Sequence, residues 1–308
     1  MGPLIDALRE LGAQAECEGK MGRPPVVVGG GIQGGEVEIT GGTSSQFISA
    51  LLIACPRARD DVKITIVDEL RSKPYVEMTL HLLSEAGIKI RKNRKLTEFR
   101  IPSEQEFKPL SLTIPGDFSS ASFILGAAAV TGSEVSVGNL DSHYPQGDML
   151  IIPILREFGV DVEFSGRTVM VLGSEELEGT EIDCGDVPDL VPILAVLGTV
   201  AEGRTTLANI PHLRFKETDR IHALASELRK MGAEVRELED ELRIRGTRKL
   251  KGTYVNSYGD HRMAMALTVA GLVAEGTTVV GGAESIPVSY PQFVEDMLTL
   301  GARIEVKP

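Results

Sequence analysis

The densest run of ionisable side chains is LRFKETDRIHALASELRKMG, where Lys216, Glu217, Asp219 and Arg220 fall at the start of an amphipathic helix. Glu217 and Arg220 stand three residues apart and so share one helix face. An acid, a lysine and an arginine within one turn can protonate one atom of a substrate while gripping its phosphate or carboxylate. A solvated, salt-bridged helix start would use the same residues. Asp189, in DVPDLVPILAV, precedes an apolar helix. A carboxylate there can accept a bond from a substrate hydroxyl or take its proton, or it can cap the helix. In GGTSSQF, Ser44, Ser45 and Gln46 open another apolar helix. The unpaired N–H groups and positive dipole end of such a start favour an anion, although serine capping explains the pattern as well. Arg262, in YGDHRMAMAL, begins a helix that is apolar for most of its length. Burying it unpaired is costly, so it must meet Asp260, another carboxylate or a ligand anion.

Other chemistries find less support. Five histidines (81, 143, 212, 222 and 261) and three cysteines (17, 55 and 184) show no metal-ligand spacing, so no metal site is expected. Gly29, Gly31 and Gly34 have the GxGxxG spacing of a dinucleotide fingerprint, but the alternating EVEIT that follows reads as a strand rather than a helix. A glycine-rich hairpin is the expectation there. The net charge of −12 argues against nucleic acid and acidic membrane surfaces as partners. The longest apolar stretch, LVPILAVLGTVA, is shorter than the ~20 residues that span a bilayer, and no signal pattern opens the chain. An odd cysteine count without CxxC spacing fits a reducing cytoplasm.

The elements that must position these residues repeat. Amphipathic helices closing on Gly12, Gly87, Gly159, Gly232 and Gly301, each followed by a short alternating strand (303–306 after the last), recur at separations of 75, 72, 73 and 69 residues. Between them lie four helices that are apolar all round, with polar starts near Ser44, Ser119, Asp189 and Asp260, and such helices should be buried. With the strand-like runs VEIT, KITIV, LTI, EVSVG, TVMVL, TTLAN, ELRIRG and TTVVGG, each unit reads as βαβαββ, giving an α/β fold with mixed sheets. The length of 308 residues suggests two domains, 1–112 and 113–308, divided near FKPLSLTIPGD. Five amphipathic helices against four buried ones imply that the first unit lacks its first half. Met1 would then be an internal start of a longer ancestral chain, or the missing units would come from another polypeptide.

SSQFISALLIACP, RSKPYVEM, PGDFSSASF, YPQGD, RFKETDRI and YGDHRMAMAL occur in an order that resembles the 5-enolpyruvylshikimate-3-phosphate synthase family. KETDR and GDHRMAM are similar to that family rather than to the related UDP-N-acetylglucosamine enolpyruvyl transferases. The resemblance implies an inside-out barrel of two domains, the first incomplete, and transfer of the enolpyruvyl group of phosphoenolpyruvate to the 5-hydroxyl of shikimate 3-phosphate. By the family pattern Ser44, Ser45 and Ser72 look like ligands of shikimate 3-phosphate, with Tyr75 nearby and Gln46 bridging both substrates. Asp189 and Lys216 look like contacts to the ring hydroxyls, and Asp189 a candidate to accept the hydroxyl proton. Glu217 looks like the acid that protonates the methylene carbon, and Arg220 and Arg262 like grips on phosphoenolpyruvate, while Ser119 is left as a cap. The resemblance implies a cytoplasmic monomer acting on two small molecules without a cofactor. Three departures stand out. The family's N-terminal lysine-serine motif, arginine and NxGTxxR segment have no counterpart, so activity would need either a complementary N-terminal segment or an unusual rearrangement of the missing ligands; the alternative is a fragment that only binds shikimate 3-phosphate. Val288 stands where many members have a lysine, and His212 where an asparagine is common, although it can still donate a bond.

Overall fold

A computed structural model describes residues 1–173, 176–247 and 249–307, and the Met21 side chain is left out of the description. The chain divides into two compact units, Met1–Ile114 with His143–Gly147, and Pro115–Ser142 with Asp148–Pro308.

In the first unit, α1 (Gly2–Glu10) buries Ile5 and Ala7, and the chain then turns at Gly12, whose φ of +85° suits a residue without a Cβ. A hairpin follows, β1 (Gln14–Cys17) pairing antiparallel with β2 (Val26–Gly29). The remaining elements form one βαβαββ unit. They are β3 (Gly35–Ile39), α2 (Ser45–Ala54), β4 (Val62–Ile66), α3 (Lys73–Glu85), β5 (Arg91–Lys92) and β6 (Glu98–Ile101), with sheet order β3-β4-β6-β5. Only β3 and β4 run parallel. The VKITI alternation of β4 sends Val62, Ile64 and Ile66 into a core shared with Ile48, Leu51 and Leu52 of α2.

The second unit carries three such repeats in different states of completeness. The first has α4 (Phe118–Thr131), β7 (Val135–Val137), α5 (Ile151–Glu157), β8 (Asp161–Ser165) and β9 (Thr168–Leu172), with sheet order β7-β9-β8. The second is complete, with β10 (Glu181–Asp183), α6 (Val191–Val200), β11 (Arg204–Ala208), α7 (Arg220–Lys230), β12 (Glu234–Glu237) and β13 (Leu242–Arg245). Its order, β10-β11-β13-β12, repeats that of the four-stranded sheet in the first unit. The third has β14 (Leu250–Lys251), β15 (Tyr254–Asn256), α8 (His261–Leu272), β16 (Ala274–Glu275), β17 (Val279–Gly281) and α9 (Phe293–Thr299), with β14-β16 and β15-β17 as parallel pairs. The apolar helices α4, α6 and α8 pack on one another at the centre of the core. Val191–Thr199 of α6 is buried on every face, as its sequence requires.

Three local expectations fail for physical reasons. LTI (112–114) forms no strand, and Ile114 is 74% exposed. The alternating residues 303–306 likewise find no partner strand among the described residues. The glycine run is not a hairpin turn but a crossover from β2 to β3, which belong to different sheets. Its glycines are needed for the backbone, because Gly34 has φ +133° and a Cβ there would lie 2.6 Å from the Asp60 carbonyl oxygen. A strand, not a helix, follows it.

Candidate functional site

Each complete repeat places two helix starts together, because two parallel neighbouring strands both deliver their chain into a helix at the same edge of the sheet. In the first unit these are the starts of α2 and α3. The loops after β3 and β4 touch there: Arg71 N–H donates to the Gly41 carbonyl (3.3 Å), and a Cβ on Gly41 would lie 2.8 Å from the Leu70 Cα. Ser44 is the N-cap of α2, its Oγ accepting from Gln46 N–H at 3.3 Å, and Ser45 is buried while Gln46 is exposed. Ser72 precedes α3 in a left-handed conformation (φ 53°, ψ 45°), buried and making no capping bond with its side chain. A buried serine held in that conformation is strained, and such strain concentrates at functional positions. Tyr75 follows within the first turn, its N–H donating to the Ser72 carbonyl at 3.2 Å.

In the second unit the corresponding edge holds Asp189, ahead of α6, and Lys216–Arg220, ahead of and at the start of α7. The starts of α4 and α8 join them. Arg220 is 1% exposed and surrounded by carboxylates. Its Nε donates to Asp260 Oδ2 (2.8 Å), one terminal nitrogen to Asp189 Oδ1 (2.9 Å), and the other to Glu217 Oε2 (2.8 Å). Asp260 is fully buried and also N-caps α8, accepting from the N–H groups of Arg262 and Met263. Arg262 pairs with Asp189 Oδ2 at 2.9 Å, and its other arm donates to the Ser119 hydroxyl. Asp189 therefore spans two guanidinium groups, one on each oxygen.

This arrangement sets the local electrostatics. Burial alone would raise the Asp189 carboxyl, but Arg262, Arg220 and Lys216 outweigh it and hold the group well below the usual carboxylate range. Burial would lower the Arg220 guanidinium, yet Asp260, Asp189 and Glu217 raise it instead. Burial and the Arg262 charge push His261 down, favouring neutral imidazole. Lys216 and Glu217 are the exposed members, Glu217 at 48%. Their segment is held from behind by Arg214, which donates to the Leu238 and Glu239 carbonyls and to the Asp219 and Glu237 carboxylates. His212 lies buried in the short 3-10 turn Pro211–Phe215 that leads into it.

The structure thus brings Asp189, Lys216, Glu217, Arg220 and Arg262 together in one unit, and Ser44, Ser45, Gln46, Ser72 and Tyr75 along one edge of the other. One assignment changes, and one left open finds its partner. The cap of α4 is Asp117, which accepts from the Ser119 and Ser120 N–H groups, so Ser119 is a partner of Arg262 rather than a cap. Arg262 takes Asp189, and the adjacent Asp260 takes Arg220 instead. The bracing by Arg214 and the bond from Arg262 to Ser119 went unread because they reach mainly to partners far away in sequence. Among the described residues no group of His, Cys, Asp and Glu could hold a metal ion, and no helix is long and apolar enough to cross a membrane.

A family model described as EPSP synthase (3-phosphoshikimate 1-carboxyvinyltransferase) matches residues 1–297. The chain belongs to the EPSP synthase family. A 3-phosphoshikimate 1-carboxyvinyltransferase of Methanocella arvoryzae is 50% identical over 309 residues, covering 99% of this chain and 72% of that protein. The protein of the same name from Methanocaldococcus jannaschii is 44% identical, covering 100% and 71%. A solved structure of EPSP synthase from Acinetobacter baumannii superposes with a TM-score of 0.81 at 26% identity, covering all of this chain and 72% of that one. The likeness to EPSP synthases is thus one of both sequence and fold.

Proposed function

We propose that this chain transfers the enolpyruvyl group of phosphoenolpyruvate to the 5-hydroxyl of shikimate 3-phosphate and releases phosphate. Family membership supports the reaction. The observation that carries the residue roles is the exposed acid Glu217 standing beside Lys216 and tied to the Asp189–Arg220–Arg262 charge cluster. In this reading Glu217 gives its proton to the methylene carbon of phosphoenolpyruvate, making the central carbon electron-poor. The 5-hydroxyl oxygen bonds to that carbon as its proton passes to Asp189. The carbon–oxygen bond to phosphate then breaks, a methyl proton returns to Glu217, and the double bond re-forms. Arg262 and Arg220 stabilise the charge on the carboxylate and phosphate of phosphoenolpyruvate through preorganised guanidinium dipoles. Ser44, Ser45, Ser72, Tyr75 and His212 hold shikimate 3-phosphate with Lys216 on its hydroxyls, and Gln46 contacts both substrates. The reaction runs in the cytoplasm, on a monomer, where the unpaired thiols of Cys17, Cys55 and Cys184 stay reduced.

The test is phosphate release with both substrates. Glu217→Gln should lower turnover by about 10²–10⁴-fold, the usual contribution of a positioned acid, while leaving the fold intact. Undiminished turnover in that variant would remove Glu217 from the mechanism. Binding of shikimate 3-phosphate without any turnover by the unaltered chain would favour the binding-only alternative.

A further inference from the structure

The loop that delivers α2, Thr40-Gly41-Gly42-Thr43, has two adjacent glycines and so little in its own sequence to fix its path. What fixes it comes from the exit of the neighbouring strand β4. The Asp68 carboxylate accepts from the Gly41 N–H on Oδ1 at 2.6 Å and from the Thr40 hydroxyl on Oδ2. A Cβ on Gly42 would lie 3.1 Å from that same Oδ2. Desolvation would raise the Asp68 carboxyl, but the Thr40 hydroxyl and the Gly41 and Gly42 amides hold it below the ordinary carboxylate value. Asp68 is an exposed residue, yet its carboxylate is engaged as an anion. It belongs to neither helix and ties the approach to α2 to the approach to α3. Ser44 and Ser45 lie three and four residues beyond Gly41, and Ser72 four beyond Asp68.

The other repeats tie the same two exits by other means. In the complete repeat of the second unit Asn209, after β11, donates to Asp183 Oδ1 (3.1 Å), which also accepts from the Gly185 N–H (2.9 Å) on the way to α6. Ahead of α4 the Gly116 N–H donates to the Asn139 carbonyl (2.6 Å) just after β7, and ahead of α8 the Ser257 hydroxyl donates to the Gly282 carbonyl (3.0 Å) just after β17. A tie between the two exits is thus part of the repeat, and the first unit makes it with a carboxylate.

We propose that Asp68 is a positioning residue for shikimate 3-phosphate: it holds the Thr40–Gly42 loop so that Ser44 and Ser45 are already set when the ligand arrives. The proposal rests on the reading of Ser44 and Ser45 as ligands of shikimate 3-phosphate given above. A site that is correctly formed only part of the time loses apparent affinity in proportion, so bracing the loop tightens binding. By charge alone Asp68 does the reverse, because a carboxylate near a phosphate repels it. The two effects have opposite signs, which separates them experimentally.

The experiment is a calorimetric titration of shikimate 3-phosphate into the unaltered chain, Asp68→Ala, Asp68→Asn, Ser45→Ala and the Asp68→Ala, Ser45→Ala double variant, with circular dichroism reporting the fold. Asp68→Ala should weaken binding about tenfold, as for a loop in place about a tenth of the time. Asp68→Asn keeps an oxygen for the Gly41 N–H and should recover most of the loss. In the Ser45→Ala background the loss should shrink, because a brace acts through what it positions. Binding by Asp68→Ala as tight as that of the unaltered chain, or tighter, would overturn the proposal. So would an equal loss in the Ser45→Ala background, which is what a general loosening of the unit gives. Undiminished affinity in Ser45→Ala would overturn it from the other side, by removing the serine reading on which it stands. Should Asp68→Ala fail to fold, Thr40→Val deletes one donor and keeps the shape; a smaller weakening is expected, and none would count against the brace. In the ligand-free chain, exchange at the Gly41 and Gly42 amides should quicken about tenfold in Asp68→Ala, and an unchanged rate would overturn the brace without reference to any ligand.

Discussion

Replacing Arg220 by methionine isolates what a buried guanidinium does for this unit. The stem of the side chain keeps its packing, so the change is in charge. Of the three carboxylates that lose a partner, Glu217 is 48% exposed and turns to water, a loss worth at most about 1 kcal/mol. Asp189 retains Arg262 at 2.9 Å. Asp260 has no such recourse: it is fully buried, and it keeps only the N–H groups at the start of α8. The cost of stranding that carboxylate is about 3–5 kcal/mol. Adding Asp260→Asn removes the charge but preserves an oxygen that can cap α8, so the double variant should recover most of the loss. The chain has no tryptophan, so native-state hydrogen exchange is the suitable assay, read at the amides of α8, which report opening of this unit rather than of the other. A loss below about 1 kcal/mol in Arg220→Met, or a double variant no more stable than the single one, would refute the reasoning, because either result means that the Asp260 charge does not depend on Arg220.

Two further outcomes follow from the same core. A Cβ on Gly126 of α4 would lie 2.4 Å from Cγ1 of the fully buried Ile193 on α6, so Gly126→Ala should cost about 1–3 kcal/mol in urea unfolding. No loss would show that α4 and α6 can part at that point. Glu227, inaccessible within α7, accepts from Lys230, from the Tyr258 hydroxyl at 2.6 Å and from the Asn256 N–H at 3.0 Å. Burial would raise its carboxyl, but those bonds lower it below the ordinary value, while the Tyr258 phenol is pushed up to about 12 by its bond to Glu227. A depressed carboxyl contributes stability that is complete above its unfolded pKa of about 4.3 and is lost as pH falls through the folded value. Glu227→Gln should therefore cost about 1–3 kcal/mol at pH 7, with the gap to the unaltered chain narrowing below about pH 4. A gap independent of pH would assign the loss to packing.

The repeat was legible because it rests on a local necessity. Gly12, Gly87, Gly159, Gly232 and Gly301 close their helices with φ between +80° and +96°, where a side chain is strained, so one residue type marks each helix end. The apolar helices were legible for a similar reason, since no exposed helix tolerates a run like VPILAVLGTV. Strands at 112–114 and 303–306 were misread because a strand is defined by its neighbour, which its own alternation cannot supply. The charge cluster shows the same limit more sharply. Sequence proximity pairs Glu217 with Arg220 and Asp260 with Arg262, yet the fold keeps only the first and crosses the second, giving Asp260 to Arg220 and Asp189 to Arg262. Burial decides the crossing. The inaccessible carboxylate must take the inaccessible cation, since neither can be satisfied by water, and this leaves the partly exposed arginine on the partly exposed aspartate. A sequence can thus name the ionisable groups of such a site, but which arginine meets which carboxylate is a property of depth, set by how α4, α6 and α8 pack.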